Sequence, residues 1–213
     1  MNSAVPDTKT LKNVLTRLEQ GSGEKWLQSL DNRKTTELEF HDSHRDRLAL
    51  EEIDEKTYRK LYGNKKYYEA AVRSKSYIEE WISNNARSSV FLDYACGDGF
   101  NTIMAARAGA RLAVGIDISP ISIENARKDA ARRDLDEKTH FVLADAENTK
   151  LPDNTIEVAI CSGVLHHLDL ARALPELRRI MAPGGKILAV EALGYNPLIK
   201  LYRMLTPQMR TEW

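Results

Sequence analysis

Acidic side chains stand at the ends of most predicted strands in the second half of the chain. Short apolar runs end beside a carboxylate in four cases and at Ser162 in the other; the four acids are Asp93, Asp117, Asp145 and Glu191. Carboxylates accept hydrogen bonds and attract positive charge. A ligand with a cationic centre, several hydroxyls and a base carrying donor groups would fit this set, whereas a phosphate-rich ligand would need basic residues.

Two of these acids also have ordinary structural explanations. Asp117 could cap the helix that follows Ser119 and Pro120, and Asp145 could turn the loop after its strand. Each explanation accounts for one acid only, and the explanation weakens when four strand ends carry the same group. The acids together favour a ligand-binding edge.

A glycine turn follows the first of these strands. Gly97 and Gly99 come shortly after Asp93 and precede a helix predicted to begin near Asn101 or Thr102. Glycine has no Cβ to block a close approach and adopts the positive φ values of a tight turn, while the first N–H groups of a helix are free to bind. The turn predicts a small polar ligand above residues 95 to 101.

His166 and His167 come directly after the fourth predicted strand and are the candidate general bases. An imidazole titrates near neutral pH, so it can take a proton from an acceptor that must lose one. One of the two could instead hydrogen-bond its own loop, and Glu191 is a weaker alternative base. His41 and His44 would join the site only if the N-terminal segment folded over it. No metal-ligand spacing is present, so no metal is expected.

Alternating strands and helices must position these side chains. Strands are predicted at 90–94, 112–116, 141–144, 156–162 and 186–190, with helices at about 101–109, 120–133 and 170–181. Strands separated by helices indicate a doubly wound, mostly parallel α/β sheet that is covered on both faces. Ligands of such sheets bind at the carboxyl ends of the strands, near the point where the strand order reverses.

The first 66 residues are predicted to be a helical N-terminal extension that could act as a lid. One helix is indicated by apolar residues at helical spacing, namely Leu11, Val14, Leu15 and Leu18, and it ends at the Gly21-Ser22-Gly23 sequence. Residues 31–66 are rich in charge and carry scattered aromatics, which is typical of helical cover. Residues 67–213 then form the ligand-binding domain.

Composition bounds the class of protein. The 213 residues are 42% apolar, enough for a core, and 31 basic residues balance 31 acidic ones. This balance gives no support to nucleic acid as a partner. The first residues lack a signal-peptide pattern and no apolar run could span a membrane, so a cytoplasmic location is expected. Cys96 and Cys161 are expected to be small reduced core residues.

The ordered motifs resemble a class I S-adenosylmethionine-dependent methyltransferase of the broad family that modifies small molecules and lipids. The resemblance covers about residues 70–205, and its motifs lie at 92–99, 114–119, 144–147 with Leu151-Pro152, 163–168 and 177–185. It implies a Rossmann-like fold, S-adenosyl-L-methionine as the cofactor and S-adenosyl-L-homocysteine as its product. The implied cofactor contacts are Asp93, Ala95, Gly97, Gly99, Asp117, Ile118, Asp145, Ala146 and Ser162.

Within this resemblance, the glycine turn underlies the methionyl part of the cofactor. Asp117 is implied to hold the ribose hydroxyls, Asp145 to accept from the adenine amino group, and Ala146 to offer its backbone to the adenine edge. The family usually has glycine where this chain has Ala95, and we expect binding to survive the added methyl group.

Two other functions are open. A nicotinamide dehydrogenase has a similar distance from its turn to its ribose acid, but position 102 holds Thr102 in place of the third glycine, and a pyrophosphate would lie close to Asp93 and Asp98. A non-catalytic cofactor-binding domain is the other alternative. The methyl acceptor is expected to be a small molecule such as a natural product, sugar or lipid, with transfer to oxygen, nitrogen or carbon.

The C-terminal end departs from the resemblance. Proteins of this kind usually add a hairpin of two strands beside the fifth strand, whereas here a helix is predicted over 196–205. The strand at 186–190 would then be an open apolar edge. We expect either a C-terminally truncated chain, with cofactor contacts intact and turnover weak, or a second copy or partner that covers the edge.

Overall fold

The computed structural model describes residues 5–21, 23–45, 72–191, 201 and 204–205. Its helices are α1 (Thr8–Gly21), α2 (Glu24–Leu27), α3 (Asn32–Arg45), α4 (Val72–Asn85), α5 (Phe100–Arg107), α6 (Pro120–Ala131) and α7 (Leu170–Ile180). Its strands are β1 (Val90–Tyr94), β2 (Leu112–Asp117), β3 (Thr139–Leu143), β4 (Ile156–Ser162) and β5 (Met181–Val190). A short 3-10 turn covers Leu165–His167.

The five strands form one parallel sheet in the order β3-β2-β1-β4-β5. Leu92 in the central strand lies opposite Val114 on one side and Ala159 on the other. Chain order therefore reverses between β1 and β4, which confirms the predicted doubly wound fold. The carboxyl ends of β1 and β4 meet at this reversal, where sheets of this type bind their ligands.

Both faces of the sheet are covered by helices. Along β1, residues Val90, Leu92 and Tyr94 join a buried cluster with Leu11 and Leu15 of α1 and with α7. The intervening β1 residue 91 joins a second cluster with α4, α5 and α6. Period-two alternation of a strand buried on both faces produces this division. Because α1 contributes two fully buried leucines, it forms part of the core that supports the site.

The boundary between α7 and β5 differs from the prediction. The helix ends at Ile180 and the strand begins at Met181, so the Pro183-Gly184-Gly185 sequence lies inside the strand instead of before it. The pairing of β4 with β5 shifts register here, because Ile156 pairs with Met181 and Val158 pairs with Lys186. A bulge of this kind accommodates proline and glycine, including Gly184 at φ 76°.

The outer edge of β5 pairs with no strand in the described part of the chain, and Ile187 on it is 45% exposed. Most of the helix predicted over 196–205, the side chain of His44 and the predicted boundary near residue 66 fall outside the described residues. Among the helices that are described, none is both long enough and apolar enough to cross a membrane. Both cysteines are free and buried, as predicted.

Candidate functional site

Asp93 stabilises the turn after β1 from a buried position. It is almost fully buried, and its Oδ2 accepts hydrogen bonds from the backbone N–H of Thr102 at 3.1 Å and the hydroxyl of Thr102 at 3.0 Å. Burial raises the pKa of Asp93 to about 6, although the bonds from Thr102 oppose the rise. These bonds cap the start of α5, so Asp93 fixes the turn and does not line the adjacent cavity.

The turn itself depends on left-handed backbone. Gly99 has φ 79°, and a Cβ added there would lie 2.7 Å from the Phe141 ring and 2.8 Å from the Ala126 methyl group. Gly97, at φ 53°, donates its N–H to Asp117 Oδ2 at 2.8 Å. Ala95 also has a positive φ of 62°, a conformation in which the Cβ of a non-glycine residue is strained. The turn brings backbone to the cavity edge at Ala95.

Asp117 lies at the end of β2 and is 5% exposed. Besides the bond from Gly97, its Oδ1 accepts from the backbone N–H of Ser119 at 2.9 Å. Ser119 caps α6 by accepting from the N–H of Ser122 at 3.0 Å, so the alternative in which Asp117 caps this helix is wrong. Each carboxylate oxygen can accept a second hydrogen bond, so Asp117 retains capacity for a diol.

Asp145 lies just after β3 and has two partners. Its Oδ1 accepts from the N–H of Glu147 at 2.8 Å, which is the turn-forming role considered for it, and its Oδ2 accepts from Lys34 Nζ at 2.6 Å. The neighbouring Ala146 carbonyl accepts from the buried Tyr94 hydroxyl. Asp145 therefore turns the loop and also presents an acceptor at the cavity.

A cavity of about 110 Å³ lies among these groups. Seven of the eleven predicted site residues line it, namely Ala95, Asp117, Ile118, Asp145, Ala146, Ser162 and His167. Asp93, Gly97, Gly99 and His166 do not line it. Its volume is below the range of roughly 300–1,000 Å³ that is common for small-molecule sites. Helix α3 lines one side of this cavity.

Five residues of α3 form a wall that the sequence did not predict: Arg33, Lys34, Glu37, His41 and Arg45. They recur about one helical turn apart, which places them on one side of α3. This spacing was the available signal, but it does not reveal which surface the side contacts.

The basic residues of this wall pair with the acids of the site. Lys34 lies 2.6 Å from Asp145 Oδ2 and 2.9 Å from Glu147 Oε2, and Arg45 Nη1 lies 3.6 Å from Asp117 Oδ2. Burial by itself would lower the pKa of Lys34, but the hydrogen bonds to the two carboxylates outweigh burial and raise it. Helix α3 thus spans the cavity with a cation against each of the two acids at the sheet edge, Asp117 and Asp145.

The two histidines have separate carboxylate partners. His166 Nδ1 lies 2.7 Å from Glu191 Oε2, while Glu191 Oε1 accepts the backbone N–H groups of Val164 and Leu165. His167 Nδ1 lies 3.1 Å from Glu37 Oε1. His166 is half exposed, whereas His167 lines the cavity. His167 is therefore better placed than His166 to meet a ligand in the cavity. Glu191 orients the His166 ring.

Residues 92–189 match the family model described as a methyltransferase domain. This part of the chain resembles S-adenosylmethionine-dependent methyltransferases. A solved structure from Methanococcus maripaludis, provisionally described as an S-adenosyl-L-methionine-dependent methyltransferase, superposes with a TM-score of 0.51 at 25% identity. The superposition covers 61% of this chain and 60% of that one. The methyltransferase resemblance is thereby confirmed.

Curated relatives carry two kinds of name. The 27-O-demethylrifamycin SV methyltransferase of Amycolatopsis mediterranei is 33% identical over 45% of this chain and 36% of its own length. A ribosomal protein L11 methyltransferase of Yersinia pseudotuberculosis is 30% identical over 63% of this chain and 46% of its own. The chain thus spans less than half the length of either relative.

The geometry at the start of α5 disfavours the dinucleotide alternative. A pyrophosphate would require the free N–H groups at the start of α5. The N–H of Thr102 is already bonded to the buried Asp93 carboxylate, and the Thr102 side chain occupies the place of the third glycine.

Proposed function

We propose that this chain is an S-adenosylmethionine-dependent methyltransferase that acts on a small molecule. The observation that carries the proposal is the pairing of Asp117 and Asp145 at the ends of adjacent strands, where both line one cavity beside a glycine turn. This arrangement offers acceptors for a diol and for an amino group a short distance apart. The family match over residues 92–189 supports it.

The residues present fit the cofactor. Gly97 and Gly99 keep the turn free of side chains, and the acidic surroundings suit a sulfonium cation. Asp117 would hold the ribose hydroxyls, Asp145 the adenine amino group and the Ala146 backbone the adenine edge. When bound, S-adenosylmethionine supplies an electrophilic methyl group attached to a good leaving group.

Helix α3 must respond when the cofactor binds. Lys34 occupies the Asp145 oxygen that the amino group would use, and Arg45 lies against Asp117. Both cations must withdraw from these acceptors or share them when the cofactor binds. Helix α3 therefore acts as a lid that covers the two acids while the cofactor is absent. Its two ends are anchored differently: Lys34 bonds the acids after β3, while the Arg45 guanidinium bonds the Ser122 hydroxyl in α6 at 2.7 Å.

Positioning and exclusion of water can supply most of the acceleration of this displacement. The lid and the sheet edge would hold the acceptor against the methyl group. For an acceptor that must lose a proton, His167 is the proposed base because it lines the cavity. The cover that α3 forms over the cavity favours a small acceptor over a folded protein, and this agrees with the small-molecule methyltransferase among the relatives.

Calorimetric titration with S-adenosylmethionine, S-adenosylhomocysteine and NAD tests the proposal. We expect both adenosyl ligands to bind and NAD not to bind. Asp117→Asn should weaken adenosyl binding by about 100-fold, because charge-assisted hydrogen bonds contribute about 1.5–3 kcal/mol each. Asp136→Asn, at an exposed position, is the matched control and should bind normally.

Circular dichroism would show that both variants fold. Binding of NAD alone would overturn the proposal, and so would equal binding by the Asp117 variant and its control. Adenosyl binding without methylation of any small molecule in an acceptor panel would favour the non-catalytic alternative.

A further inference from the structure

Two histidines and one carboxylate converge where α3 meets the turn after β4. Glu37 and His41 lie one turn apart on α3, and His167 belongs to the 3-10 turn. One potential ligand atom from each lies within 4.8 Å of the other two. Glu37 Oε1 is 3.1 Å from His167 Nδ1, and Glu37 Oε2 is 3.7 Å from His41 Nε2.

These separations suit a bound metal ion. Zinc binds nitrogen and carboxylate oxygen at about 2.0–2.2 Å, so neighbouring ligand atoms in a tetrahedral site lie roughly 3.3–3.6 Å apart. The two measured distances, 3.1 and 3.7 Å, lie close to this interval.

An orphaned atom in the cluster points independently to a cation. Glu37 Oε2 is buried and has no hydrogen-bond partner in the described structure. His41 Nε2, at 3.7 Å, is beyond hydrogen-bond distance of it. A buried carboxylate oxygen without a partner costs free energy, so buried carboxylates usually pair with a cation or bind a metal.

The basic residues nearby are engaged elsewhere. Lys34 pairs with Asp145 and Glu147, while Arg33 pairs with Glu147 and donates to the backbone carbonyl of His167 at 2.6 Å. Among the described residues, no lysine or arginine forms an ion pair with Glu37. The bond from Arg33 also fixes the turn that carries His167.

We propose that Glu37, His41 and His167 bind a divalent transition-metal ion of the Zn²⁺ type. Imidazole together with carboxylate favours such ions over Mg²⁺ and Ca²⁺, which prefer oxygen ligands. Three protein ligands leave at least one coordination position open, as in catalytic zinc sites. All three residues also line the cavity that holds Asp117 and Asp145, so the open position lies at the proposed active site.

The role of the ion rests on the proposed function. At the open position it would bind the hydroxyl oxygen of an acceptor and lower the pKa of that hydroxyl, whose proton passes to solvent. With the ion bound, His167 would serve as a ligand, and the ion would take over the role assigned to His167 as a base. The oxygen lone pair then forms the bond to the methyl carbon while the carbon–sulfur bond breaks, and its electron pair stays on sulfur. This assigns a hydroxyl-bearing small molecule as the acceptor. The ion would also join the lid to the sheet edge, because two ligands come from α3.

Metal titration of the chelator-treated protein tests the site. We expect equimolar binding of Zn²⁺ by calorimetry, and Co²⁺ should give the visible absorption of a low-coordinate site. Glu37→Gln and His41→Gln should each lower the affinity by more than about 100-fold, because even outer-shell substitutions cost 10–100-fold. His166→Gln is the matched control: its ring is adjacent to His167 but outside the cluster, so it should bind Zn²⁺ normally.

Absence of Zn²⁺ binding by the folded wild-type protein would overturn the proposal. Equal affinity in Glu37→Gln and His166→Gln would also overturn it. Titration with S-adenosylmethionine in the presence of chelator separates this failure from that of the proposed function. Cofactor binding without metal binding would refute only the metal site, whereas metal binding without cofactor binding would refute only the methyltransferase proposal.

Discussion

Replacing Lys34 with methionine should destabilise the free protein and strengthen cofactor binding. Lys34 is 10% exposed and bonds Asp145 and Glu147, whose side chains are 14% and 1% exposed. Methionine keeps the apolar length of the side chain but removes the charge. The two carboxylates then lose their shared cation, and the Asp145 oxygen assigned to the adenine amino group becomes free.

The expected loss of stability follows from the bonds removed. Lys34 donates one charge-assisted hydrogen bond to Asp145 and forms an ion pair with Glu147. A hydrogen bond to a charged group contributes about 1.5–3 kcal/mol, and removing one partner of a buried ion pair costs a similar amount. Glu147 keeps Arg33 and the N–H of Asp169, and Asp145 can take water from the cavity, so the net loss should be about 3 kcal/mol. For a chain of this size that loss lowers the melting temperature by about 6–12 °C.

Urea denaturation and thermal melting measure this loss, and Lys128→Met is the matched control. Lys128 forms an exposed ion pair with Glu124 at 3.1 Å within α6, so its loss should change stability by less than about 0.5 kcal/mol. Equal effects of the two substitutions would refute the idea that Lys34 compensates buried acids.

The same pair of variants tests the lid. Without Lys34, the cofactor no longer has to displace a cation from Asp145, so its affinity should rise by about 10-fold, equivalent to one hydrogen bond of about 1.4 kcal/mol. Calorimetry measures this change, with Lys128→Met expected to match the wild type. Weaker cofactor binding by Lys34→Met would refute the competition and make Lys34 a direct contributor to the site.

Three further substitutions test the turn. The pKa of folded Asp93, about 6, lies above its ordinary value of 3.8, so the folded state holds the extra proton between these values and stability falls as pH rises through them. Asp93→Asn should remove this dependence, worth about 3 kcal/mol at most, in urea denaturation at several pH values; an unchanged slope would contradict the assignment. Ala95→Gly should raise the unfolding free energy by about 1 kcal/mol, because it relieves the strain of a positive φ, and a loss of stability would count against that strain. Gly99→Ala should cost about 3 kcal/mol in thermal denaturation, since its Cβ would meet Phe141, whereas Gly163→Ala has open space and should cost only about 1 kcal/mol; equal losses would exclude the clash.

The sequence was sufficient to predict the sheet and its acidic edge. Short apolar runs separated by helices identify the strands, and parallel topology brings their carboxyl ends together. Asp117, Asp145 and the glycine turn could therefore be predicted from local patterns. The details of Asp93 were less accessible, because its burial beneath the turn and its bonds to Thr102 depend on how α5 packs.

The wall formed by α3 could not be predicted in the same way. Lys34 and Asp145 are 111 positions apart, and nothing in either local pattern specifies the other as its partner. The helix is strongly polar, so no apolar stripe indicates which side faces the sheet. Its position depends on charge pairing across the cavity, which exists only after the sheet has formed. The proposed metal cluster was missed for the same reason, since its ligands come from α3 and from a turn far along the chain.

The charge of the cavity links the lid, the cofactor and the metal. Buried carboxylates need positive partners, and in this structure Lys34 and Arg45 lie against Asp145 and Asp117. A sulfonium-bearing cofactor brings its own positive charge and hydrogen-bond donors, so it can replace these partners at modest cost. Glu37 is the third acid that lines the cavity, and no lysine or arginine of the described chain pairs with it. With a metal ion bound to Glu37, Lys34 can withdraw from Asp145 when the cofactor binds while the lid remains closed. The ion would hold α3 to the turn after β4, because Glu37 and His41 belong to α3 and His167 to that turn. Closure over a bound cofactor and release of the two acids are then compatible.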